Sequence, residues 1–254
     1  MKKTNHQKEI KYYGIHACLA IADKRPKDII KIYIDSSNIK TFKEALKWCS
    51  DNKKAYHIVT NADLDKVSGS VHHEGVCIVA KESVPMDERS FIKTIESSQK
   101  QMCILYFDGV QNPHNIGSII RTCAHFNVQY ILGSKEDLPA LSPSACRIAK
   151  GGAEIVQLVK VENPVQFMKI LKNKGFHIVS TSSHVKDSLY DVKLPSRMVL
   201  ALGSEANGVS KDILSFSSMK VQIPGSGLVE SLNVSVATSL FLGEFYRQHV
   251  RQAC

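Results

Sequence analysis

Apolar residues recur along this chain with two spacings, and each spacing indicates a different secondary structure. In the first part of the chain, short runs rich in β-branched residues predict strands at residues 29–34, 56–59 and 76–80. Apolar positions at helical spacing predict helices over residues 13–21 and 42–52. Helices and strands therefore alternate in a small domain that ends near residue 82.

The second part of the chain repeats the order strand, helix, strand. Five short apolar runs predict strands, at residues 103–107, 130–132, 157–159, 177–180 and 198–202. A long helix is predicted to close the chain over residues 231–247. This order predicts a parallel sheet covered by helices on both faces. The predicted fold class is therefore α/β, with a C-terminal parallel-sheet domain and a small N-terminal α/β domain.

A polar and charged stretch separates the two regions. It contains Pro85 and Arg89 and predicts a linker with room for a short helix. We therefore predict an N-terminal domain at residues 1–82, a linker at residues 83–100 and a C-terminal domain at residues 101–254.

The charge of the chain points to a polyanionic partner. The 254 residues carry a formal net charge of +9 at pH 7, with a pI of about 9.1. Charge of this size concerns association and not fold, and a merely solvated surface is the alternative explanation. Among specific partners, RNA is the commonest reason for such a charge. The hydrophobic fraction of 43% is typical of a globular protein.

The cysteine pattern argues against a metal site and against a disulfide framework. The seven cysteines stand at positions 18, 49, 77, 103, 123, 146 and 254, and no CxxC pair occurs. Most lie in apolar runs, so we expect buried, reduced thiols and a cytoplasmic protein. The first residues lead into no apolar segment, so we expect no signal peptide, and no run approaches transmembrane length.

Three loops predict a composite site, because each follows an apolar run and carries uncommitted polar side chains. They lie at residues 108–117, 203–210 and 223–227. No GxGxxG motif follows a first strand, so a dinucleotide or P-loop site is unsupported. A loop such as Gly225-Ser226-Gly227 can instead hold an adenosine moiety through closely approaching backbone groups.

Five polar residues in these loops or in the segments that follow them are candidates for chemistry, and four of the five have an alternative structural role. Asn115 could be a turn or N-cap residue, and Ser231 and Asn233 could cap the final helix. Arg121 lies among apolar helical residues, so it needs a ligand or an ion-pair partner. Glu205 follows an apolar strand, and ligands of open α/β sheets bind at the carboxyl ends of strands.

At these positions the sequence resembles the SpoU/TrmH group of the SPOUT methyltransferases, which transfer a methyl group from S-adenosylmethionine to RNA ribose 2′-hydroxyls. Asn115 and Arg121 have the spacing of the first family motif. Gly203, Glu205 and Gly208 match the second motif of the family. The third motif is matched by Ile223, Pro224, Gly227 and residues 231–237. Gly225 departs from the family's usual Met. The resemblance covers residues 103–247.

The resemblance implies a fold, a cofactor and partners. The C-terminal domain is expected to contain a deep trefoil knot in which S-adenosylmethionine is bound, and the enzyme is expected to be a homodimer whose active sites use both subunits. The N-terminal domain looks like the family's RNA substrate-binding domain, which is similar to ribosomal protein L30e. No metal and no membrane are expected to take part, and the RNA is rRNA or tRNA, with rRNA favoured.

The resemblance also implies a role for each site residue. Backbone groups in the three motifs would hold the cofactor, at Gly203, Gly208, Ile223, Gly227 and Leu232. Asn115 and Ser231 would position the ribose, and Glu205 and Asn233 would orient Arg121 or the substrate. Because a guanidinium seldom releases its proton, Arg121 is expected to stabilise the developing alkoxide or to pair with a phosphate.

Two other functions remain open from the sequence. The chain could bind RNA without catalysis, or it could methylate a base, as other SPOUT branches do. A test of S-adenosylmethionine binding separates an RNA-binding protein from an enzyme. Nucleoside analysis of the product separates base methylation from ribose methylation.

Overall fold

The computed structural model describes residues 7–96, 101–182 and 185–250. The chain forms two compact units, the first comprising Met1–Val84 and Leu141–Ile155, and the second comprising Pro85–Ala140 and Val156–Cys254. No helix in the described ranges is long and apolar enough to cross a membrane.

The first unit is built on a four-stranded mixed sheet. Its strands are β1 (Glu9–Tyr13), β2 (Ile29–Ile34), β3 (Ala55–Ile58) and β4 (Val76–Lys81), and they lie in the order β1-β4-β2-β3. Its helices are α1 (Ile15–Lys24), α2 (Lys43–Asp51), α3 (Asn61–Ser68) and, from the later segment, α6 (Pro143–Ile148). β4 is antiparallel to β1 and β2, whereas β2 and β3 are parallel.

One face of this sheet packs on the helices α1, α2 and α6. Ile32 and Ile78 are register partners on this face, and both are fully buried. Cys18 and Ile21 of α1 pack into the same core. Side chains of a strand alternate between faces, so Lys31 and Tyr33 lie on the other side of β2.

The segment that carries α6 belongs to the first unit. Ser142 caps α6 by accepting a hydrogen bond of 3.1 Å from the Ala145 N–H, and Cys146 is buried in the first unit's core. Glu154 receives two hydrogen bonds from Arg25, of 2.8 and 3.0 Å, and both side chains are largely buried. The sequence had placed these residues within the 101–254 domain, so the structure moves this segment to the other unit.

The second unit contains a seven-stranded sheet in which every pair of neighbouring strands is parallel. Its strands are β5 (Met86–Asp87), β6 (Met102–Asp108), β7 (Tyr130–Ser134), β8 (Gln157–Val161), β9 (His177–Thr181), β10 (Arg197–Gly203) and β11 (Met219–Val221). The spatial order is β11-β9-β10-β6-β7-β8-β5, so β6 and β10 lie side by side near the middle.

A helix of the same unit follows five of these seven strands along the chain. These helices are α4 (Glu88–Glu96), α5 (Pro113–His125), α7 (Pro164–Asn173), α8 (Lys211–Phe216) and α9 (Val234–His249). The interiors of β6 and β10 are buried throughout, as expected for strands covered on both faces. α5 and α9 pack against each other, which brings the loops that precede them close together.

The predicted α/β class with a parallel sheet is confirmed, and the five strands predicted in the second region lie within two residues of their predicted ends. Three short strands, β1, β5 and β11, were not predicted. The closing helix begins at Val234 rather than at residue 231, because Asn233 caps it. The stretch predicted as a linker carries β5 and α4, and Phe91 and Ile95 of α4 are buried in the core of the second unit.

Candidate active site

The candidate site lies at the carboxyl ends of β6 and β10. Gly203, the last residue of β10, is the register partner of Asp108, the last residue of β6. The loops that follow the two strands therefore start at the same level of the sheet. In open α/β sheets this edge is where ligands bind.

The loop after β6 leads into α5 and presents Asn115. The cap of α5 is Asn112, whose side chain accepts a 2.9 Å hydrogen bond from the His114 N–H, and Pro113 occupies the first helical position. Asn115 is thus not the capping residue. Its side chain is buried, and its amide takes part in the network described next.

Asn115, Glu205 and Asn233 form one hydrogen-bonded network. The Nδ2 group of Asn115 donates to Oε1 of Glu205. The Nδ2 group of Asn233 donates to Oδ1 of Asn115 at 3.0 Å and lies 3.4 Å from the same Glu205 oxygen. One carboxylate oxygen of Glu205 is therefore held by two amides from two different helices.

Asn233 has a second role at the start of α9. Its Oδ1 atom accepts hydrogen bonds from the Ser235 N–H at 2.9 Å and from the Ser235 hydroxyl at 2.7 Å, so it caps the helix. Asn233 therefore combines helix capping with a place in the hydrogen-bonded network. Ser231 precedes the helix, is exposed and does not cap it.

The loop that carries Glu205 is closed by a tight backbone contact. A Cβ atom on Gly203 would lie 1.9 Å from the carbonyl carbon of Gly208, so no larger residue fits at position 203 without moving the loop. Gly208 has φ +64°, in the left-handed region that favours glycine, and its N–H donates to the Ser204 carbonyl at 2.9 Å. The predicted cofactor glycines 203 and 208 thus shape this loop.

Asp108 and Ser204 stabilise the loop, and sequence reasoning had given neither a role. The Oδ2 atom of Asp108 accepts a 2.7 Å hydrogen bond from the Ser210 N–H. The Ser204 hydroxyl accepts one of 3.2 Å from the Asn207 N–H. The signal that could have found Asp108 is its position as a carboxylate at the end of an apolar strand.

A cavity of 220 Å³ opens beside the network. It is lined by residues of the loops after β6 and β10 and by the start of α9: Gly109–Asn112, Asn115, Gly203–Ala206 and Val234. Of the five residues predicted to hold the cofactor, Gly203 lines this cavity.

The other predicted cofactor residues lie mostly on the exposed loop between β11 and α9. Ile223 is half-buried, whereas Gly227 and Leu232 are exposed. Gly227 has φ +80°, and a Cβ atom on Gly225 or Gly227 would meet nothing within 4 Å. Leu228 and Leu232 are 89% and 45% exposed, so this loop offers an apolar surface beside open backbone.

Arg121 does not join the network within one chain. It is exposed on α5, and among the described residues it has no hydrogen-bond or ion-pair partner, so the structural ion pair considered from the sequence is not found there. Six residues along an α-helix correspond to a rotation of about 600° and a rise of about 9 Å. Arg121 therefore lies on a different side of α5 from Asn115.

The comparisons with known proteins match both units. The model of the SpoU rRNA Methylase family matches residues 102–243, and the model of the RNA 2′-O ribose methyltransferase substrate binding domain matches residues 12–86. The chain belongs to the SpoU rRNA methylase family. The resemblance stated from the sequence motifs is thereby confirmed.

Relatives that match nearly the whole of this chain are named as methyltransferases. The chain is 38% identical over 95% of its length to the uncharacterized tRNA/rRNA methyltransferase YfiF of Escherichia coli O157:H7, of which it covers 69%. It is 30% identical to the 23S rRNA (guanosine-2′-O-)-methyltransferase RlmB of Neisseria meningitidis, over 94% of this chain and 95% of the relative.

Solved structures share the fold. The SpoU methyltransferase AviRb of Streptomyces viridochromogenes, crystallised with its cofactor AdoMet, superimposes with a TM-score of 0.78 at 21% identity, over 97% of this chain and 92% of that one. The TrmH/SpoU tRNA modifying enzyme of A. aeolicus gives a TM-score of 0.55 at 33% identity, over 65% and 85% of the two chains.

Proposed function

We propose that this protein transfers the methyl group of S-adenosylmethionine to a ribose 2′-hydroxyl of RNA, with ribosomal RNA as the substrate. The observation that carries the proposal is the network of Asn115, Glu205 and Asn233 at the ends of the central strands. Support comes from membership of the SpoU family and from relatives named 23S rRNA (guanosine-2′-O-)-methyltransferase.

The residues predicted to hold S-adenosylmethionine fit such a ligand. Gly225 and Gly227 have open space where a Cβ atom would stand, so an adenosine moiety can approach their backbone closely. Leu228 and Leu232 offer exposed apolar surface for the adenine ring. When bound, S-adenosylmethionine would supply an electrophilic sulfonium methyl group, which transfers to a ribose oxygen as the bond between the methyl carbon and sulfur breaks. We assign its binding to Gly203, Gly208, Ile223, Gly227 and Leu232.

Glu205 is placed to accept a hydrogen bond from the ribose hydroxyl. Its Oε1 atom is engaged by two amides, whereas no hydrogen bond to Oε2 is present among the described residues. A carboxylate fixed in this way can accept the hydroxyl hydrogen and raise the nucleophilicity of the oxygen. Asn115 and Asn233 hold the carboxylate, and Ser231, exposed next to the start of α9, positions the ribose.

We propose that Arg121 reaches the site from a second copy of the chain. Within one chain Arg121 and Asn115 lie on different sides of α5, and Arg121 is exposed. Apolar side chains beside the site are also exposed, among them Val229 at 72% and Val236 at 48%. A homodimer would cover such surface and bring a guanidinium to the developing alkoxide or to a substrate phosphate.

We also propose that the second unit contains a trefoil knot and that the protein is cytoplasmic. The loop between β9 and β10 exchanges backbone hydrogen bonds with Gln222, just after β11, and its Val192 carbonyl accepts a hydrogen bond of 3.0 Å from Gln248 of α9. Contact of both segments with one loop is compatible with a chain threaded through it.

The six described cysteines are free and buried, which is compatible with a reducing compartment.

The deciding experiment is nucleoside mass spectrometry of rRNA and tRNA from a strain that lacks the gene. The strain is complemented with the wild type, with Arg121→Ala, or with Arg89→Ala as a matched control, because Arg89 is an exposed arginine on α4. We expect one 2′-O-methylated nucleoside of rRNA to disappear in the deletion strain. Wild type and Arg89→Ala should restore it, and Arg121→Ala should not.

The same measurement separates the other functions. If the lost nucleoside carries its methyl group on the base, the protein methylates a base and not a ribose. A change confined to tRNA would correct the substrate. If no nucleoside changes and the purified chain does not bind S-adenosylmethionine, the protein is an RNA-binding protein without this activity.

A further inference from the structure

The sheet of the first unit has a second face that its helices cover unevenly. Register pairing places Lys11, Lys31, Tyr33 and His57 on this face, because the alternate residues of β1 and β2, such as Ile32, point into the core. α3 packs over β1 and β4. Exposure rises towards β3, the edge strand, where all four residues are exposed.

Two aromatic side chains are stacked at the open end of this face. The rings of Tyr33 and His57 have centroids 5.2 Å apart and planes inclined by 24°. The two residues are register partners on β2 and β3, and neighbouring strands are about 4.8 Å apart. The stack therefore runs across the strands, and its next position lies just beyond β3, where the sheet ends.

Lysines flank this stack. Lys31 is on the same face as Tyr33, and Lys53 and Lys54 come directly before β3. None of the salt bridges between described residues involves these three side chains. Among the strand positions of this face, the one carboxylate, Glu9, is the register partner of Lys81. The first unit as a whole has 17 lysines and arginines against 11 aspartates and glutamates. An anionic ligand therefore meets an electrostatically complementary surface.

We propose that this stacking edge, formed by Lys31, Tyr33, Lys53 and His57, binds an unpaired base of the RNA substrate. The base stacks on the outer face of the His57 ring, and the lysines contact the flanking phosphates. The base must be unpaired, because bases within an A-form duplex are already stacked on one another. The inference rests on the proposed function for its choice of RNA and adds the surface and the RNA feature that the first unit recognises.

Fluorescence anisotropy on the full chain tests the proposal with two probes, a 12-nucleotide single-stranded RNA and a blunt RNA duplex of the same length. We expect His57→Ala to weaken single-stranded binding by about 5-fold or more, because base–aromatic contacts carry this much affinity. Duplex binding should not change, and His57→Phe should bind single strands as the wild type does. Tyr56→Ala is the matched control, since Tyr56 is exposed on the same strand but faces the other way.

The lysines are tested with Lys31→Gln and Lys53→Gln in one chain. This variant should weaken binding to both probes and reduce the salt dependence of binding, because phosphate contacts release counterions. Trp48, the single tryptophan, lies in the first unit, and its fluorescence verifies that this unit is folded in each variant.

The proposal is overturned if His57→Ala binds single strands like the wild type, if it loses affinity equally for the duplex, or if His57→Phe does not restore binding. Product nucleosides are measured on the same preparations. An active enzyme with unaltered RNA binding in His57→Ala would overturn the stacking edge alone. Selective loss of single-strand binding in a chain that methylates no ribose would instead overturn the proposed function.

Discussion

At the scale of single residues, Asn233 joins two tasks that are usually separate. Its oxygen caps α9 and its amide nitrogen supports the Asn115–Glu205 pair. Because one side chain does both, the position of the Glu205 carboxylate is tied to the start of the last helix. A substitution that keeps only one of the two hydrogen-bonding groups can separate these contributions.

We predict that Asn233→Ser retains stability and loses activity. Serine caps helices about as well as asparagine, so the free energy of unfolding should change by less than about 0.5 kcal/mol. Without the amide donor, Glu205 is less firmly placed, and kcat/KM for methyl transfer should fall by about 100-fold. Thermal unfolding and initial rates on one preparation provide the two readouts.

The matched control is Asn163→Ser, because Asn163 caps α7 through its side chain and lies outside the network. It should leave the rate unchanged. If Asn233→Ser were as active as the wild type, the network could not be the element that positions Glu205.

The residue scale also shows what the sequence could have revealed. Proline favours the first position of a helix, so the Pro113 of Asn112-Pro113-His114-Asn115 already assigns the cap to Asn112 and leaves Asn115 free. Helical geometry alone likewise separates Arg121 from Asn115. The close approach of Gly203 to Gly208 could not be predicted, because it depends on how the loop folds back on its own strand.

At the scale of elements, the parallel strands were predictable and the position of α6 was not. Strands buried on both faces are continuous apolar runs, and those of β6 and β10 are unambiguous in the sequence. The apolar residues Ala145 and Cys146 of α6 would suit the core of either unit. The pair of Arg25 and Glu154 helps to hold the segment in the first unit. These residues are 129 positions apart, so no local sequence pattern predicts their contact.

We predict that Glu154→Gln destabilises the first unit by about 3 kcal/mol. The side chains of Arg25 and Glu154 are 13% and 9% exposed, and removal of the Glu154 charge leaves Arg25 poorly solvated, with the more distant Asp28 carboxylate at 3.6 Å. Denaturant unfolding followed by Trp48 fluorescence reports this unit, because the single tryptophan lies in α2.

Asp23→Asn is the control for that measurement, because Asp23 also lies in the first unit. Asp23 pairs with Lys24 at 2.9 Å, but their side chains are 70% and 57% exposed, so the loss should stay below about 1 kcal/mol. Equal effects of the two substitutions would show that the Arg25–Glu154 pair does not anchor the segment.

At the scale of the whole molecule, the missing partner of Arg121 leads to the strongest test of assembly. Glu205, Asn115 and Asn233 meet within one chain, whereas Arg121 does not reach them. If a second copy supplies Arg121, an Arg121→Ala chain paired with a Glu205→Ala chain contains one site with both residues intact. If all residues act within one chain, the same pair contains none.

We therefore predict that the mixed dimer, isolated through two different affinity tags after co-expression, has about half of the wild-type rate per dimer, while each single-variant homodimer is inactive. The rate follows because one of two sites regains its arginine, which stabilises charge in the transition state. A mixed dimer of Glu205→Ala and Asn233→Ala is the control and should stay inactive, because the network needs both residues from the same chain. Activity in the control dimer, or none in the first, would contradict an active site shared between subunits and return Arg121 to a role outside the reaction.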